Sequence, residues 1–334
     1  MPAKDNILSL LAAQRGAWVS GESMGRDMKL SRAAIWKHVR KLRDEGHRID
    51  SARKKGYRFE EAADLLSSAE LSRALVATAI GRKIFSIPRT ESTNKIAKEL
   101  AADGAPDGTI VVAEEQTAGR GRRGRFWFSP VRLGIYCSFL LRPTLTPAQA
   151  PQLTLLAAVA LAEAITDVTQ LNVTIKWPND IEADGRKIAG ILTEISTGMD
   201  LIDYVVVGTG INVNIPRDAF PQEISERASS LLAETRRTYS RTSILQAYVE
   251  RFDRNYRLLG VAGFAPILAR WKELSSIIGK RVLIDAVSST VEGTVKDIGA
   301  DGVLLLEDAA GAMHRVFSGD ISFLSGGEMI NGAY

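Results

Sequence analysis

One segment of the chain combines flexible backbone, dense positive charge and aromatic surface. It is Gly119-Arg-Gly-Arg-Arg-Gly-Arg125, and it runs directly into Phe126-Trp-Phe128. Glycine lets a backbone turn tightly and bring its N–H groups close to a ligand. Guanidinium groups match the geometry of phosphate and carboxylate. This spacing therefore favours the binding of an anion.

The same glycines satisfy G-x-G-x-x-G, the phosphate-binding fingerprint of dinucleotide folds. That fingerprint has to open a helix, whereas aromatic residues and Pro130 follow here within six residues. A Walker phosphate loop is excluded as well, because no Gly-Lys-Ser/Thr closes the segment. A solvated basic loop that touches nucleic acid without specificity is the remaining alternative, and the tight glycine spacing disfavours it.

A lysine, an amide and a carboxylate follow one another at the end of a predicted strand, in Lys176-Trp-Pro-Asn-Asp180. Lys176 can neutralise a phosphate, Asn179 can hydrogen-bond a ribose or phosphate, and Asp180 can hold Mg²⁺. The alternative is a structural turn in which Asp180 pairs with Lys176. The residues alone leave both interpretations open.

Two later strands carry glycine in their interiors. Gly190 follows Lys187 in one strand, and Gly208 and Gly210 precede Asn212 in the next. A glycine in mid-strand indicates that a ligand or another backbone approaches closely. Lys187 is therefore a candidate carboxylate binder, and we expect Asn212 to face the opened space.

Alternating strands and helices have to position these side chains. Apolar periodicity and turn residues predict strands at 84–89, 109–115, 134–141, 173–177, 186–195 and 204–214, and helices at 92–102, 147–169, 240–259 and 264–274. After Gly279 the pattern changes to four short strands, at 280–284, 291–295, 303–306 and 314–317, separated by Gly/Asp turns. This pattern predicts a small SH3-like barrel.

The N-terminal 62 residues hold the positive charge of the chain. They contain 14 Lys/Arg against 8 Asp/Glu, a net of +6, whereas the remaining 29 Lys/Arg and 31 Asp/Glu sum to −2. Three short helices and a basic hairpin predict a winged helix-turn-helix, whose third helix enters the major groove while the wing contacts phosphates. Ser31 is expected to cap that third helix, and Ile35, Val39 and Leu42 to form its buried stripe. The alternative is a three-helix interaction module with a solvated basic face. The expected DNA contacts are Ser31, Arg32, Ala33, Lys37, Arg53, Lys54 and Lys55.

Other classes of protein are disfavoured by composition. One cysteine and three histidines exclude internal disulfides and cysteine-rich metal sites. Cys137 lies in an alternating apolar run, which favours core packing over a role as nucleophile. The longest apolar stretch, 153–165, is too short for a membrane span and predicts a buried helix. Because the N-terminus also lacks a signal-peptide pattern, a cytoplasmic location is expected.

Five motifs in this order resemble those of the bifunctional biotin-protein ligases that double as biotin operon repressors. The resemblance covers nearly the whole chain and includes the N-terminal winged helix and the C-terminal β domain. The motifs are Ser92-Thr-Asn94, Gln116 with the Gly119–Arg125 segment, Lys176–Asp180, Arg186-Lys-Ile-Ala-Gly190 and Gly208-x-Gly-Ile-Asn212.

The resemblance implies an α+β architecture of three domains. Residues 1–65 would form the winged helix-turn-helix, and residues 66–275 a mixed α/β ligase domain with helices packed on a sheet like that of class II synthetases. Residues 276–334 would form the SH3-like barrel.

It also implies an activity. Such a protein binds biotin and MgATP, forms biotinyl-5′-AMP with release of pyrophosphate, and transfers biotin to one lysine of the biotin carboxyl carrier protein of acetyl-CoA carboxylase. The adenylate is also the corepressor for binding to operator DNA, as a ligand-promoted homodimer with no membrane partner. The alternatives are a biotin-sensing transcription factor without ligase activity, and a lipoate or octanoate ligase of related fold.

The resemblance assigns roles to residues by their matching positions, and it aligns a second loop, 216–232, with a segment that becomes ordered around the adenylate. Arg122, Lys187 and Lys176 would be catalytic, and Asp180 would hold Mg²⁺. Biotin would contact Ser92, Thr93, Asn94, Gln116, Gly119, Arg120, Gly121, Arg122, Lys187, Gly190, Gly208 and Gly210. ATP would contact Arg120, Arg125, Lys176, Asn179, Asp180 and Asn212.

Overall fold

Two compact units make up the chain, Met1–Leu65 and Leu66–Tyr334. The computed structural model describes residues 3–44, 46–61, 64–198, 201–286, 290–325 and 328–330. Residues 331–334, which belong to the predicted C-terminal domain, lie outside the described residues.

The first unit is a three-helix bundle with a small antiparallel sheet. Ser20 and Ser31 cap the second and third helices, because their hydroxyls accept hydrogen bonds from N–H groups of the first turn. The predicted apolar stripe of Ile35, Val39 and Leu42 is buried. The prediction of a helix-turn-helix is thus confirmed. Its elements are α1 (Ala3–Ala13), β1 (Trp18–Val19), α2 (Gly21–Met28), α3 (Arg32–Asp44), β2 (Arg48–Ala52) and β3 (Gly56–Glu61), with the sheet in the order β1-β3-β2.

The second unit is built on a seven-stranded sheet in the order β4-β5-β6-β10-β9-β8-β7, in which only β4 and β5 run parallel. Helices cover both faces of this sheet. The elements in chain order are α4 (Ser68–Ala74), β4 (Ile84–Ile87), α5 (Thr93–Ala102), β5 (Thr109–Ala113), β6 (Gly134–Leu141), α6 (Ala150–Thr169), β7 (Thr174–Lys176), β8 (Asp180–Ala183), β9 (Arg186–Thr197), β10 (Ile202–Asn212), α7 (Leu231–Thr235), α8 (Arg241–Ala262) and α9 (Ala265–Leu274).

Side chains alternate between the two faces of the sheet along the central strands, and helices cover both faces. In β6 the side chains of Cys137 and Phe139 join the large core with α6, α8 and α9, whereas Leu140 faces α5 on the other side. Strands buried on both faces read as continuous apolar runs. The core position predicted for Cys137 is confirmed, since its side chain is fully buried.

Helix α6 is long and apolar enough to cross a membrane by length and composition alone. It is nevertheless a core helix here, because 72% of its apolar window is buried inside the second unit. This agrees with the buried helix that the sequence predicts for residues 153–165.

The last part of the chain is a six-stranded antiparallel sheet in the order β14-β13-β12-β11-β15-β16. Four of its strands were expected from the sequence, and the last two, the first of which begins at Gly319, were not. The elements are β11 (Arg281–Ala286), β12 (Thr290–Ile298), β13 (Leu304–Glu307), β14 (Met313–Val316), β15 (Gly319–Ser325) and β16 (Glu328–Ile330).

Candidate functional site

A cavity of about 810 Å³ opens at the N-terminal end of α5. Its wall comes from α5, the Gly/Arg segment, β8, β9, β10 and the loop 216–232, together with Asp320 from β15. Segments far apart in the sequence therefore converge on one space. Ligand sites commonly take this form, a mostly apolar cavity with a few convergent polar groups.

The start of α5 and Gln116 form one polar end of the cavity. The Gln116 side-chain oxygen accepts hydrogen bonds from the Thr93 N–H at 2.8 Å and the Thr93 hydroxyl at 3.1 Å. Its amide group donates to Ser129 Oγ at 3.1 Å. Ser92 occupies the N-cap position, but its hydroxyl makes no capping hydrogen bond. That hydroxyl thus remains available to a ligand.

Asn94 is held in one orientation by a buried network. Its side-chain oxygen accepts from Ser138 Oγ at 2.6 Å, and its amide donates to Glu194 Oε2 at 2.7 Å. Gly208 leaves room for this arrangement, since a Cβ atom there would lie 2.0 Å from Asn94 Oδ1. The space that Gly208 opens is therefore filled by a side chain of the protein itself.

Two paired glycines form a flat floor for an aromatic ring. Gly190 of β9 and Gly210 of β10 are direct partners across the strands. The Trp127 indole lies on them, because a Cβ atom at Gly210 would meet Trp127 Nε1 at 2.3 Å and one at Gly190 would meet Trp127 Cζ3 at 3.1 Å. The close approach predicted at these glycines is real, and the approaching group is Trp127, which the sequence had not marked as a site residue.

The Gly/Arg segment forms a tight hairpin-like loop. Gly121 N–H donates to the Arg125 carbonyl at 2.7 Å, and Trp127 N–H donates to the Gly119 carbonyl at 2.9 Å. Of its three glycines only Gly124, at φ +75°, requires a left-handed conformation. The segment contains a single 3-10 turn, Arg122–Gly124, rather than the start of an α-helix. The dinucleotide interpretation is therefore excluded by structure as well as by sequence.

The C-terminal sheet anchors the arginines of this loop. Asp320 accepts hydrogen bonds from Arg123 Nη1 at 2.8 Å and from both terminal nitrogens of Arg125. Arg122 donates to Ser318 Oγ at 2.8 Å and to Asn179 Oδ1 at 3.3 Å. Charge-assisted contacts of this kind fix guanidinium groups in place.

Burial lowers the pKa of Arg122, and the nearby carboxylates of Asp320 and Asp180 partly offset that effect. A cation held in a partly desolvated position interacts more strongly with an incoming anion than one in open solvent. Arg122 is thus placed where a phosphate or carboxylate would gain most from it.

Two lysines of the site are paired with carboxylates on β8. Lys187 Nζ lies 2.6 Å from Asp180 Oδ1 and 5.3 Å from the centre of the Trp127 ring. Lys176 Nζ lies 3.5 Å from Glu182 Oε1. The predicted turn pairing of Asp180 with Lys176 is thus replaced by a pairing with Lys187. Burial raises the pKa of Glu182, and Lys176 partly offsets that rise.

The loop 216–232 closes another wall. It pairs with β9 through a parallel bridge between Ala228 and Lys187. The Lys187 N–H donates to the Arg227 carbonyl at 2.7 Å, and the Asn212 amide donates to the Ser229 carbonyl at 2.9 Å. Phe128 and Phe220 also meet, with ring centres 6.1 Å apart. The loop is therefore joined directly to two residues that the sequence assigned to ligands.

The structure brings together nearly all the ligase-site residues predicted from the sequence. Gly119 and Lys176 are the exceptions: Gly119 does not line the cavity, and Lys176 lines an adjoining space of about 80 Å³. The residues that do line the cavity are Ser92, Thr93, Asn94, Gln116, Arg120, Gly121, Arg122, Arg125, Asn179, Asp180, Lys187, Gly190, Gly208, Gly210 and Asn212.

Sequence reasoning missed several wall residues, among them Trp127, Phe220, Arg227 and Asp320. Trp127 carried a local signal, since it directly follows the Gly/Arg segment. Asp320 carried none, because its partner Arg125 lies 195 positions earlier in the chain.

The residues predicted to contact DNA are exposed in the first unit. They lie at the start of α3 and in the turn between β2 and β3, where Lys54 adopts φ +69°. Trp36 was not predicted to take part, yet its side chain is 54% exposed on α3 and Arg40 lies 5.6 Å from its ring centre. The exposed residues are Ser31, Arg32, Ala33, Lys37, Arg53, Lys54 and Lys55.

Three family profiles match separate parts of the sequence. The profile of the biotin/lipoate A/B protein ligase family matches residues 86–212. An HTH domain profile matches residues 4–58, and the biotin protein ligase C-terminal domain matches residues 277–324.

Individual relatives match the chain over nearly its full length. The bifunctional ligase/repressor BirA of Bacillus spizizenii is 37% identical over 318 residues, which are 95% of this chain and 98% of the relative. The BirA of Escherichia coli is 32% identical over 327 residues, 96% of this chain and 99% of the relative. Among solved structures, the biotin protein ligase of Aquifex aeolicus in complex with biotin and ATP superposes with a TM-score of 0.62 at 29% identity, covering 72% of this chain and 98% of that one.

Proposed function

Since the chain belongs to the family of bifunctional biotin protein ligases and repressors, we propose that it activates biotin with ATP and transfers it to a protein lysine. The biotin carboxylate attacks the α-phosphate of ATP, which gives biotinyl-5′-AMP and releases pyrophosphate. The acceptor amine then attacks the biotinyl carbonyl and displaces AMP. The observation that carries this proposal is the cavity of about 810 Å³ on which residues of all five sequence motifs converge.

The biotin half of the site is the polar end around α5. The ureido ring of biotin offers N–H donors and a carbonyl acceptor, which match the hydroxyls of Ser92 and Thr93 and the side-chain amide of Gln116. Asn94 supports this end through its network with Ser138. The biotin contacts that we propose are Ser92, Thr93, Asn94, Gln116, Arg120, Gly121, Arg122, Lys187, Gly190, Gly208 and Gly210, without Gly119, which does not line the cavity.

The nucleotide half is the basic end. A carboxylate that attacks a phosphate brings two anions together, so the reaction needs charge neutralisation and alignment more than proton transfer. Arg122, Lys187 and Lys176 are the catalytic cations of the proposal. Lys187 lines the cavity, and in the proposal it exchanges its partner Asp180 for the biotin carboxylate. ATP contacts are proposed for Arg120, Arg125, Lys176, Asn179, Asp180 and Asn212.

We assign the metal of MgATP to Asp180. Mg²⁺ is usually bound by one or two carboxylates together with phosphates and waters rather than by a protein cage. Among the residues that the structure describes, no group of three or more His, Cys, Asp or Glu could hold a metal ion. A single carboxylate such as Asp180 fits a metal that arrives with its nucleotide. Binding of Mg²⁺ to Asp180 would have to compete with the ion pair between Asp180 and Lys187.

Arg122 also serves to retain the intermediate. A mixed anhydride reacts readily with water and amines, so a closed site has to exclude both. Arg122 contacts Asn179 on one side and Ser318 on the other. It therefore links Asn179, a proposed nucleotide contact, to the C-terminal sheet.

The second activity of the proposal is repression of biotin synthesis genes. The corepressor is biotinyl-5′-AMP, and the DNA-binding form is a ligand-promoted homodimer. Its protein partner in catalysis is the biotin carboxyl carrier protein of acetyl-CoA carboxylase, and we place both activities in the cytoplasm. The residues assigned to operator DNA are Ser31, Arg32, Ala33, Lys37, Arg53, Lys54 and Lys55, the first four on or beside α3 and the others in the wing.

Exchange of labelled pyrophosphate into ATP tests the ligase. We expect exchange that requires biotin and that does not occur when lipoate or octanoate is supplied instead. Biotin binding without exchange in folded protein would instead identify a sensor that no longer ligates. A preference for lipoate or octanoate would identify the related ligase.

Footprinting DNA upstream of biotin synthesis genes, with and without biotin and ATP, tests repression. Protection that needs both ligands is expected. Loss of protection when Arg53, Lys54 and Lys55 are changed to Ala, with pyrophosphate exchange retained, would assign DNA binding to the wing. Protection unchanged by that triple substitution would contradict the assignment.

A further inference from the structure

An ion pair joins the beginning of β9 to the helix that follows the loop 216–232. Arg186 Nε lies 3.0 Å from Glu234 Oε1, and Arg186 Nη2 lies 2.9 Å from Glu234 Oε2. The contact is thus bidentate, the geometry in which an arginine gives both strength and direction. The Glu234 side chain is only 6% exposed.

Ser229, inside the loop, is the third member of this contact. Its hydroxyl donates to Glu234 Oε1. Its N–H donates to the Lys187 carbonyl at 2.9 Å, and its own carbonyl accepts from the Asn212 amide at 2.9 Å. One loop residue is therefore fixed at three points, and two of them belong to residues that we assign to ligands.

Strand geometry explains how the same stretch of β9 can serve both the loop and the ligand. Successive side chains point to opposite faces of a strand. Arg186 reaches Glu234, whereas Lys187 reaches Asp180 and the Trp127 ring inside the cavity. A movement of the loop 216–232 therefore also moves the backbone beside Lys187.

We propose that Arg186, Glu234 and Ser229 form a latch that holds the loop 216–232 against Lys187 and Asn212 and so sets how long the adenylate is retained. The inference rests on the proposed ligase function. Arg186 and Glu234 are positioning residues in it, because neither lines the cavity. They act through Ser229, Lys187 and Asn212.

The charge on Glu234 is maintained by its partners. Burial alone would raise the pKa of this carboxyl, but the hydrogen bonds from Arg186 and Ser229 outweigh it and the pKa is lowered. A carboxyl whose folded pKa lies below its unfolded value adds stability at neutral pH that is lost as the pH falls through the folded pKa. The latch is therefore charged and complete under the conditions of ligation.

Two measurements on the full chain test the latch. The adenylate is formed from labelled biotin and ATP, and its loss is followed after a chase with unlabelled biotin. In Glu234→Gln and Arg186→Ala we expect loss to accelerate about tenfold, the effect of removing one charge-assisted contact. Trypsin cleavage after Arg217 and Arg227 in the loop should accelerate in parallel.

Steady-state kinetics separate positioning from general damage. We expect the KM for ATP to rise while kcat for pyrophosphate exchange changes by less than about twofold. The exchanged pair Arg186→Glu with Glu234→Arg should recover much of the retention. The matched control is Glu273→Gln, which breaks an ion pair with Arg270 at 2.6 Å on the exposed surface of α9 and should change neither rate.

Adenylate loss and loop cleavage that stay within about twofold of the unmodified chain in both single variants would overturn the latch. Circular dichroism identifies a variant that fails to fold. In that event Arg186→Lys, which keeps the charge without the fork, replaces it, and an unchanged rate there likewise overturns the proposal. If the unmodified chain makes no adenylate, the proposed function fails. The cleavage comparison still shows whether the latch holds the loop.

Discussion

Removing the carboxylate of Asp320 should free the Gly/Arg loop from the C-terminal sheet. Asp320 is 10% exposed on its side chain and pairs with Arg123 and Arg125, whose side chains are 30% and 37% exposed. A hydrogen bond to a charged group contributes roughly 1.5–3 kcal/mol, whereas a fully exposed ion pair contributes at most about 1 kcal/mol. For this half-buried arrangement we take about 2 kcal/mol, between the two ranges.

Asp320→Ala should therefore lower kcat/KM for ATP about thirtyfold, since each 1.4 kcal/mol corresponds to roughly a factor of ten. The assay is biotin-dependent pyrophosphate exchange at varied ATP, with biotin saturating. The effect should fall on ATP rather than on biotin. The anchored arginines border the nucleotide half of the site, whereas Gln116 and Thr93 at the biotin half do not touch Asp320.

Asp285→Ala is the matched control. Asp285 contacts the same Arg123, but its carboxylate lies 3.4 Å away and is 66% exposed, and Arg123 also bonds to the Asp285 backbone carbonyl at 2.9 Å, which alanine preserves. The loss of kcat/KM for ATP in Asp285→Ala should therefore be small. Equal activity of the two variants would refute the anchoring role of Asp320, and so would a defect that appears in the KM for biotin alone.

Three further predictions concern buried features. Glu114→Ala should lower the free energy of unfolding in urea by about 3–5 kcal/mol, because it removes the carboxylate paired with the fully buried Arg241. Glu91→Gln, in an exposed pair with Lys95, should leave the free energy of unfolding unchanged, and equal effects would contradict the argument. Gly210→Ala should weaken biotin binding at least about tenfold in calorimetry, because the added methyl group displaces Trp127. The control Gly260→Ala, in open space on α8, should leave the affinity for biotin unchanged. Normal affinity in Gly210→Ala would show that the Trp127 ring can move freely. Cys137 should resist a thiol-exchange reagent at pH 8 in the native protein and react once unfolded, because burial raises its pKa; immediate labelling of the native form would disprove its core position.

The fold was largely predictable where the signal is local. Strand β6 agrees with its predicted bounds, and α3 begins directly after the predicted cap Ser31. The strand β15 was missed because its sequence, from Gly319 to Ser325, begins with a glycine and mixes apolar with polar residues. Its pairing with β11 stabilises it, and a pairing between distant strands leaves no local pattern.

The candidate site divides in the same way. The motif residues were predictable because each motif is a short local pattern: the start of a helix, the Gly/Arg loop, the end of a strand, or glycines inside a strand. The contacts between motifs were not, since Asp320 meets Arg125 across 195 positions and Arg186 meets Glu234 across 48. The role of the mid-strand glycines was predicted only in part. Gly190 and Gly210 do mark a close approach, but the approaching group is Trp127 rather than a bound ligand.

The anchoring of the Gly/Arg loop by Asp320 also imposes an order on biosynthesis. A ribosome completes Arg123 and Arg125 long before it reaches Asp320, and domains generally fold as units during synthesis. A nascent chain can thus contain all five sequence motifs while the Gly/Arg loop is still unanchored. Under the proposed function, retention of the acyl adenylate therefore begins only when β15 has joined its sheet.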